Sequence, residues 1–368
     1  GINTNASCDP AVATATGNIY IGGGAAGTDF PTGPAVGTAA NGISFGSSTS
    51  GIRVLSGGGD ISVKGQSSLN GISAFQGITF RATTGAIELH GTSSSTAHQA
   101  LRFAGSTGDS LISSGKTSGT AIRLIGTRIT NSSQTGVAFE DDDATISSTG
   151  GGDIVIETSD ATAGLNSRNL LRRVTATTVN GGKIQIKSTG RTEIYNSSIT
   201  TSGPVNGAGG QISIWADSDD DNTGSIYVEQ PSCISTIGTC SAPANTGGSR
   251  VVIGGGAADS SDSFFPVGGA VARTGDTFGV RFGSTHAANG VKIFSGGGDL
   301  RIASEQTTST TTNDVYGQLW YGGTQLHSGN GMVELVNTPG VAATGVSSYG
   351  VYIPVSYTHL TLPTNREV

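Results

Sequence analysis

The chain has 368 residues, of which 60 are glycine, while 12% are charged and 6% are aromatic. This composition argues against a helical protein, because each glycine weakens a helix by about 1 kcal/mol relative to alanine. The net charge is −7 and the basic residues are scattered, which argues against nucleic acid and anionic lipid as partners. No apolar run has the length of a transmembrane helix, so we expect no membrane insertion by this segment.

The first informative stretch is residues 52–64, Ile-Arg-Val-Leu-Ser-Gly-Gly-Gly-Asp-Ile-Ser-Val-Lys. It predicts a strand, a glycine corner and a second strand, because apolar and polar residues alternate on both sides of the glycines. Glycine at a sharp corner supplies the positive φ angles that other residues avoid. The alternation predicts inward side chains at Ile52, Val54, Ile61 and Val63, and outward side chains at Arg53, Ser62 and Lys64.

The same corner recurs along the chain. Close copies occupy residues 150–156 and 291–302. Shorter forms, with glycine, a polar residue and then an apolar, polar, apolar strand, occupy 85–89, 181–186, 209–214, 224–228 and 331–335. A repeated unit of one turn and one strand is typical of a solenoid. We therefore predict an all-β fold, a right-handed parallel β-helix, and the alternative is a set of antiparallel β-sandwich repeats.

The strand spacing predicts how many coils such a solenoid has. Two or three strands would make a coil of roughly 20 to 28 residues, which gives on the order of 13 to 17 coils and a rod of roughly 60 to 80 Å. We expect a single β-helix fragment over residues 1–354 with an internal duplication, in which about 8–103 returns as 240–353. Residues 17–26, Gly-Asn-Ile-Tyr-Ile-Gly-Gly-Gly-Ala-Ala, return as 249–258, Ser-Arg-Val-Val-Ile-Gly-Gly-Gly-Ala-Ala.

An acidic loop lies just before the second copy. Residues 217–224 read Asp-Ser-Asp-Asp-Asp-Asn-Thr-Gly, and carboxylates at alternating positions followed by glycine are similar to the start of a calcium loop. The glycine and glutamate that an EF-hand needs at its sixth and twelfth positions are absent. Asp217, Asp219 and Asp221 are therefore candidate calcium ligands, and a solvated acidic loop without a metal is the alternative.

The chain has three cysteines. Cys233 and Cys240 flank a short loop of serine, threonine and glycine that could close as a local disulfide, which would indicate an oxidising compartment. The alternative is two unpaired small apolar side chains. Cys8 has no assigned partner.

The last residues differ from the rest of the chain. Residues 355–365, Val-Ser-Tyr-Thr-His-Leu-Thr-Leu-Pro-Thr-Asn, resemble the translation of a transposon-end adapter from sequencing libraries. We interpret residues 355–368 as a non-native tail and expect them to add no coil, because they lack the glycine corner and contain Pro363, which cannot donate a ladder hydrogen bond.

Corners of the form Gly-Gly-polar-Ile-x-Ile at residues 151–156, 181–186 and 209–214, with turns rich in serine, threonine and asparagine, resemble secreted bacterial exoproteins of the filamentous haemagglutinin type. The resemblance covers residues 1–354. It implies export by two-partner secretion with an outer-membrane partner and a location outside the cell or on its surface. It also implies a stalk whose surface adheres to glycans or proteins of host cells, matrix or other bacteria. Autotransporter passengers share the architecture.

We expect no enzymatic activity, and we assign no catalytic residue and no cofactor other than the calcium considered above. The alternative function is a carbohydrate-active β-helix enzyme, a polysaccharide lyase or a glycosidase. Such an enzyme would have acidic and basic side chains clustered outward on neighbouring coils, whereas a uniform polar surface would favour an adhesin.

Overall fold

The structure, a computed structural model, describes residues 2–3, 17–26, 31–46, 52–75, 77–105, 109–130, 135–140, 143–160, 167–204, 208–272, 277–284, 290–306, 315–339 and 348–353. Every regular element in these ranges is a β-strand. The strands form three long parallel sheets, which we name sheets I, II and III. Each coil runs through sheet II, then sheet III, then sheet I. The fold is therefore a parallel β-helix, and the antiparallel sandwich alternative is wrong.

The strands of each sheet follow in stacking order. Sheet I contains Ile2–Asn3, Arg53–Ser56, Thr79–Ala82, Leu111–Ser114, Ala144–Ser148, Val174–Thr178, Ser198–Thr201, Cys233–Ser235, Lys292–Phe294 and Gln325–His327. Sheet II contains Ile19–Ile21, Ile61–Ser67, Ile87–Ser93, Thr120–Arg128, Asp153–Asp160, Ile184–Ser188, Ile212–Ala216, Val251–Ala258, Leu300–Glu305 and Val333–Thr338. Sheet III contains Ile43–Phe45, Ile72–Phe75, Leu101–Ala104, Thr135–Glu140, Arg168–Arg172, Thr192–Tyr195, Ile226–Glu229, Phe278–Phe282, Val315–Trp320 and Ser348–Tyr352.

Neighbouring strands pair in register, so equivalent residues of successive coils stack in columns. Ile61 pairs with Ile87, and Ile87 pairs with Ile122. Along Ile61–Ser67, buried and half-buried residues alternate, because successive side chains of a strand point to opposite faces. The inward columns are mainly isoleucine, valine, leucine and phenylalanine, and they merge into one apolar core along the solenoid.

The alternation predicted for residues 52–64 is confirmed. Val54, Ile61 and Val63 are fully buried, and Ile52 packs half-buried against the core. The outward positions are the exposed Arg53 and the half-buried Ser62 and Lys64.

The aspartate of the Gly-Gly-Gly-Asp corner connects one coil to the next. In three corners its Oδ1 accepts a hydrogen bond from the backbone N–H just before the sheet II strand of the following coil. The pairs are Asp60 with Ala86 (2.7 Å), Asp153 with Lys183 (2.8 Å) and Asp299 with Met332 (2.9 Å). The motif is therefore structural, since it binds a backbone donor that the corner would otherwise leave unpaired.

The glycines of these corners serve two different purposes. Gly151 and Gly297 have positive φ angles of 106° and 104°, as the sequence predicted. At Gly59 a Cβ atom would lie 2.4 Å from the carbonyl oxygen of Gly17 in the preceding coil. Glycine is needed there because the stacked corners approach too closely for any side chain.

Within the described ranges, the solenoid has fewer coils than the sequence predicted. Sheets I and III each contain ten strands in the described ranges, which makes about ten coils and a stack of roughly 45 Å at ~4.8 Å per strand. The coils are longer than expected because of their loops. Sheet II strands begin 26 residues apart at Ile61 and Ile87 (87 − 61), but 49 residues apart at Val251 and Leu300 (300 − 251).

Both halves of the duplicated segment contain the same excursion from the solenoid. Each makes an antiparallel hairpin after a sheet II strand, Gly23–Ala26 with Pro31–Gly33 and the end of Val251–Ala258 with Pro266–Gly268. A short strand then pairs with the next sheet II strand, as Ala35–Gly37 does in the first half and Ala270–Val271 in the second. The equivalent segments therefore occupy equivalent places in their coils.

The second hairpin covers part of the outer face of sheet II. Trp215 is 1% exposed and its Nε1 donates to the Gly256 carbonyl oxygen at 2.9 Å. Gln185, two coils before the hairpin, donates from Nε2 to the Phe264 carbonyl oxygen at 2.9 Å, and Phe265 is fully buried. This face is thus protected by the chain itself.

Candidate functional site

Five residues at the corner between sheets III and I stand in one column. In sheet I, Leu111, Thr145, Thr175, Ser198 and Cys233 pair in sequence across five neighbouring strands. Two positions before each of them lies a residue of what we name the corner column, which comprises Asp109, Asp143, Arg173, Asn196 and Pro231. Because the ladder is in register, the column follows the axis of the solenoid.

A groove of about 430 Å³ lies along the corner column and the outer face of sheet I. Its lining includes Thr145, Thr175 and Ser198, whose hydroxyl groups belong to one outward row. The volume falls in the range of roughly 300 to 1,000 Å³ that small-molecule sites occupy. The groove therefore combines a hydroxyl-bearing floor with a wall of charged and amide side chains.

The wall contains one ion pair and two residues in an uncommon backbone conformation. Arg173 Nε lies 3.1 Å from Asp143 Oδ1, and both side chains are exposed. Arg173 and Asn196 have φ angles of 54° and 46°. Asparagine adopts this left-handed conformation readily, whereas for arginine it costs on the order of 1 kcal/mol.

The disulfide between Cys233 and Cys240 lines one end of the groove. The two Cα atoms are 6.0 Å apart. Lys292 Nζ donates to the Cys240 carbonyl oxygen at 3.2 Å, and the Ser198 hydroxyl lies 3.7 Å from Cys240 Sγ. These contacts hold the loop between the cysteines against sheet I.

Sequence reasoning missed the charged residues of the groove. A usable signal was present, since each corner column residue lies two positions before the sheet I residue that pairs in register across the five strands. That signal becomes visible only when the sheet I strands are aligned with one another. The cysteines were identified from the sequence, but their place at the end of a groove was not.

The three candidate calcium ligands do come together. One carboxylate oxygen each from Asp217, Asp219 and Asp221 lies within 4.8 Å of the others. Asp217 Oδ1 also accepts hydrogen bonds from the backbone N–H groups of Asp221 (3.1 Å) and Thr223 (3.2 Å). Burial, together with the neighbouring carboxylate of Asp221, raises the pKa of Asp217 to about 8. Burial and the same neighbour raise the pKa of Asp219 to about 6.

This donor set fits a hard divalent cation. Ligand oxygens at 2.3 to 2.6 Å from one calcium ion lie at most about 5 Å apart, as these oxygens do. A bound cation would also offset the burial and the repulsion between carboxylates that together raise their pKa values. Asp217, Asp219 and Asp221 would hold the ion, and calcium binding there stays a prediction.

The outer face of sheet III carries a cluster of charged side chains. Glu193 is 4% exposed and accepts from Nη1 of both Arg168 and Arg191, each at 3.0 Å. The guanidinium groups of Arg191 and Arg281 lie 4.5 and 5.4 Å from the ring centre of Tyr227. Sequence reasoning missed this cluster, because cross-coil ion pairs and cation–π contacts form only after the strands stack.

Comparisons with protein-family models, curated proteins and solved structures gave no match. Within the described ranges, no helix is long and apolar enough to cross a membrane. Cys8 and residues 355–368 lie outside those ranges, and the predictions that concern them stay predictions.

Proposed function

We propose that this chain is part of the stalk and adhesive surface of a secreted or surface-exposed bacterial adhesin. The observation that carries the proposal is the stack of about ten coils, paired strand by strand in three parallel sheets, with an open groove on one side. A stack of this kind is stiff along its axis, since every coil is bonded to the next across three sheets. It presents long lateral faces along its axis.

A disulfide supports a location outside the cytoplasm. The Cys233–Cys240 disulfide is of a kind that persists in oxidising compartments. Export as an unfolded chain through an outer-membrane partner suits this architecture, because a solenoid can fold coil by coil as it emerges. The partners would be glycans or proteins of host cells, matrix or other bacteria.

Adhesion can be measured with beads that display the purified chain. We expect such beads to be retained on cultured epithelial cells, on extracellular matrix or on bacterial cells about tenfold more than beads blocked with albumin. Beads carrying the chain after irreversible heat denaturation serve as the control for nonspecific stickiness. Retention at the level of blocked beads on all three surfaces would contradict the proposal.

A second candidate is a carbohydrate-active enzyme, and one observation favours it. Asp109, Asp143 and Arg173 line a single groove on neighbouring coils, which is the arrangement that such an enzyme would need. Incubation of the chain with plant, bacterial and animal polysaccharides, followed by an assay for reducing ends and unsaturated products, decides between the two. Time-dependent product that disappears in Asp143→Asn would establish the enzyme, and its absence is expected for the adhesin.

A further inference from the structure

We propose that the groove on sheet I is a binding subsite for an uncharged oligosaccharide that lies along the solenoid axis. This inference rests on the proposed function, because it names the class of partner that the adhesive surface takes. It concerns the groove lined by the corner column and by Thr145, Thr175 and Ser198.

The floor of the groove matches a polyhydroxylated ligand in its chemistry and its repeat. Thr145, Thr175 and Ser198 follow one another on adjacent strands, so their hydroxyl groups recur at ~4.8 Å. This spacing is close to the repeat of an extended chain of hexopyranose rings. A hydroxyl group both donates and accepts hydrogen bonds. The hydroxyl group of each coil can therefore act as donor or as acceptor towards one sugar ring.

The wall supplies groups that orient such a ligand. The carboxylates of Asp109 and Asp143 accept hydrogen bonds, the Arg173 guanidinium donates them, and the Asn196 amide does both. Arg173 and Asn196 are exposed at the corner, and both have left-handed backbone conformations. The cost of that conformation for arginine makes Arg173 a residue for which a functional reason is expected.

The charges of the groove favour a neutral sugar over an acidic one. Two carboxylates, Asp109 and Asp143, and one guanidinium, Arg173, line it. The guanidinium is already paired with Asp143 at 3.1 Å. A uronate or sulfate group entering the groove would therefore meet a net negative wall.

The length of the groove sets the length of the ligand. The corner column extends over five strands, from Asp109 to Pro231, and the Cys233–Cys240 disulfide lies at that end. Four strand spacings amount to roughly 19 Å, which accommodates about four rings of an extended chain. Affinity should therefore rise from a disaccharide to a tetrasaccharide and change little beyond it.

Isothermal titration calorimetry with defined oligosaccharides tests the proposal. The probes are cello-, manno-, xylo- and N-acetylchito-oligosaccharides of two, four and six units, with hexagalacturonate and a sulfated hexasaccharide as acidic comparators. Thr175→Tyr fills the centre of the groove with an aromatic ring. Thr92→Tyr makes the same change on the outer face of sheet II and is the matched control. The thermal melting of both variants is recorded to show that they fold.

We expect saturable binding of at least one neutral series, about tenfold tighter for the tetrasaccharide than for the disaccharide. Thr175→Tyr should weaken that binding about tenfold or more, and Thr92→Tyr should change it less than about twofold. The proposal is overturned if no neutral series binds, if both variants have the same effect, or if the acidic probes bind more tightly. If the chain adheres to cells but binds no neutral oligosaccharide, only the assignment of the groove as an oligosaccharide subsite is contradicted. A chain that binds the oligosaccharide but does not adhere would overturn the stalk function alone.

Discussion

The aspartate of each Gly-Gly-Gly-Asp corner joins two successive coils through one side-chain hydrogen bond. Asp60, Asp153 and Asp299 each accept a hydrogen bond from the next coil's backbone. The acceptor has to be a short side chain, because the corner brings the two backbones close together. A hydrogen bond of this kind contributes about 1 kcal/mol to stability, and its repetition along the stack aligns the coils.

Asp153→Ala should lower the free energy of unfolding by about 1 to 2 kcal/mol, because it leaves the Lys183 N–H without its acceptor. Asp153→Asn keeps an oxygen acceptor at the same place and should stay within about 0.5 kcal/mol of the original chain. Urea denaturation followed by circular dichroism measures both variants. Equal stability of the alanine variant and the original chain would show that the bond contributes nothing.

The acidic cluster predicts a pH dependence with a defined sign. The pKa of Asp217 is raised to about 8 in the folded chain, against about 3.9 for an unfolded aspartate. The folded state therefore retains a proton that the unfolded state has lost. The stabilisation is complete below about pH 4 and is lost as the pH rises through about 8. Asp219, with a pKa raised to about 6, acts in the same direction.

In the presence of a chelator, stability should therefore fall between about pH 5 and pH 9, by on the order of 2 kcal/mol from Asp217, and millimolar calcium should restore it. Asp217→Asn is the informative variant, because an amide oxygen can still accept from Asp221 and Thr223, and asparagine tolerates the φ of 53° at this position. This variant should show a smaller fall and no calcium response. Matching melting profiles for variant and original chain across this pH range would refute both expectations.

Among the elements, the strands were predictable and the groove was not. Alternation of apolar and polar residues is local, so it correctly predicted the inward face of residues 61–64, the first part of the strand Ile61–Ser67. The corner column depends on which residues of different coils lie side by side. Its members are separated by 34, 30, 23 and 35 residues (143 − 109, 173 − 143, 196 − 173 and 231 − 196), and this irregularity hides the column from any fixed period.

The disulfide between Cys233 and Cys240 should stabilise the fold by about 2 to 3 kcal/mol, as expected for a cross-link that closes a short loop. The double variant Cys233→Ser/Cys240→Ser should lose that amount in chemical denaturation. A reducing agent should lower the stability of the original chain equally and leave the variant unchanged. Cys8→Ser is the control, and it should retain the response to reduction. An original chain whose stability is the same with and without reductant would argue against this contribution.

On the scale of the whole molecule, the loops decide the length and the surface of the solenoid. The hairpin that returns in both halves of the duplicated segment lengthens its coils, and in the second half it covers the Trp215 side of sheet II. Sheet III is occupied by its own ion pairs and cation–π contacts. Sheet I keeps an open, hydroxyl-rich groove, so the proposed adhesion is assigned to that side.

A flow chamber with three bead populations tests this assignment most directly. The beads carry the original chain, Thr175→Tyr or Thr92→Tyr at equal density, and the number retained on a cell layer is counted as shear stress rises. We predict that the original chain and Thr92→Tyr hold to the same stress, while Thr175→Tyr beads detach at a several-fold lower stress. Equal detachment of all three populations would contradict adhesion through sheet I, and detachment of all three at the level of blocked beads would contradict the adhesive stalk itself.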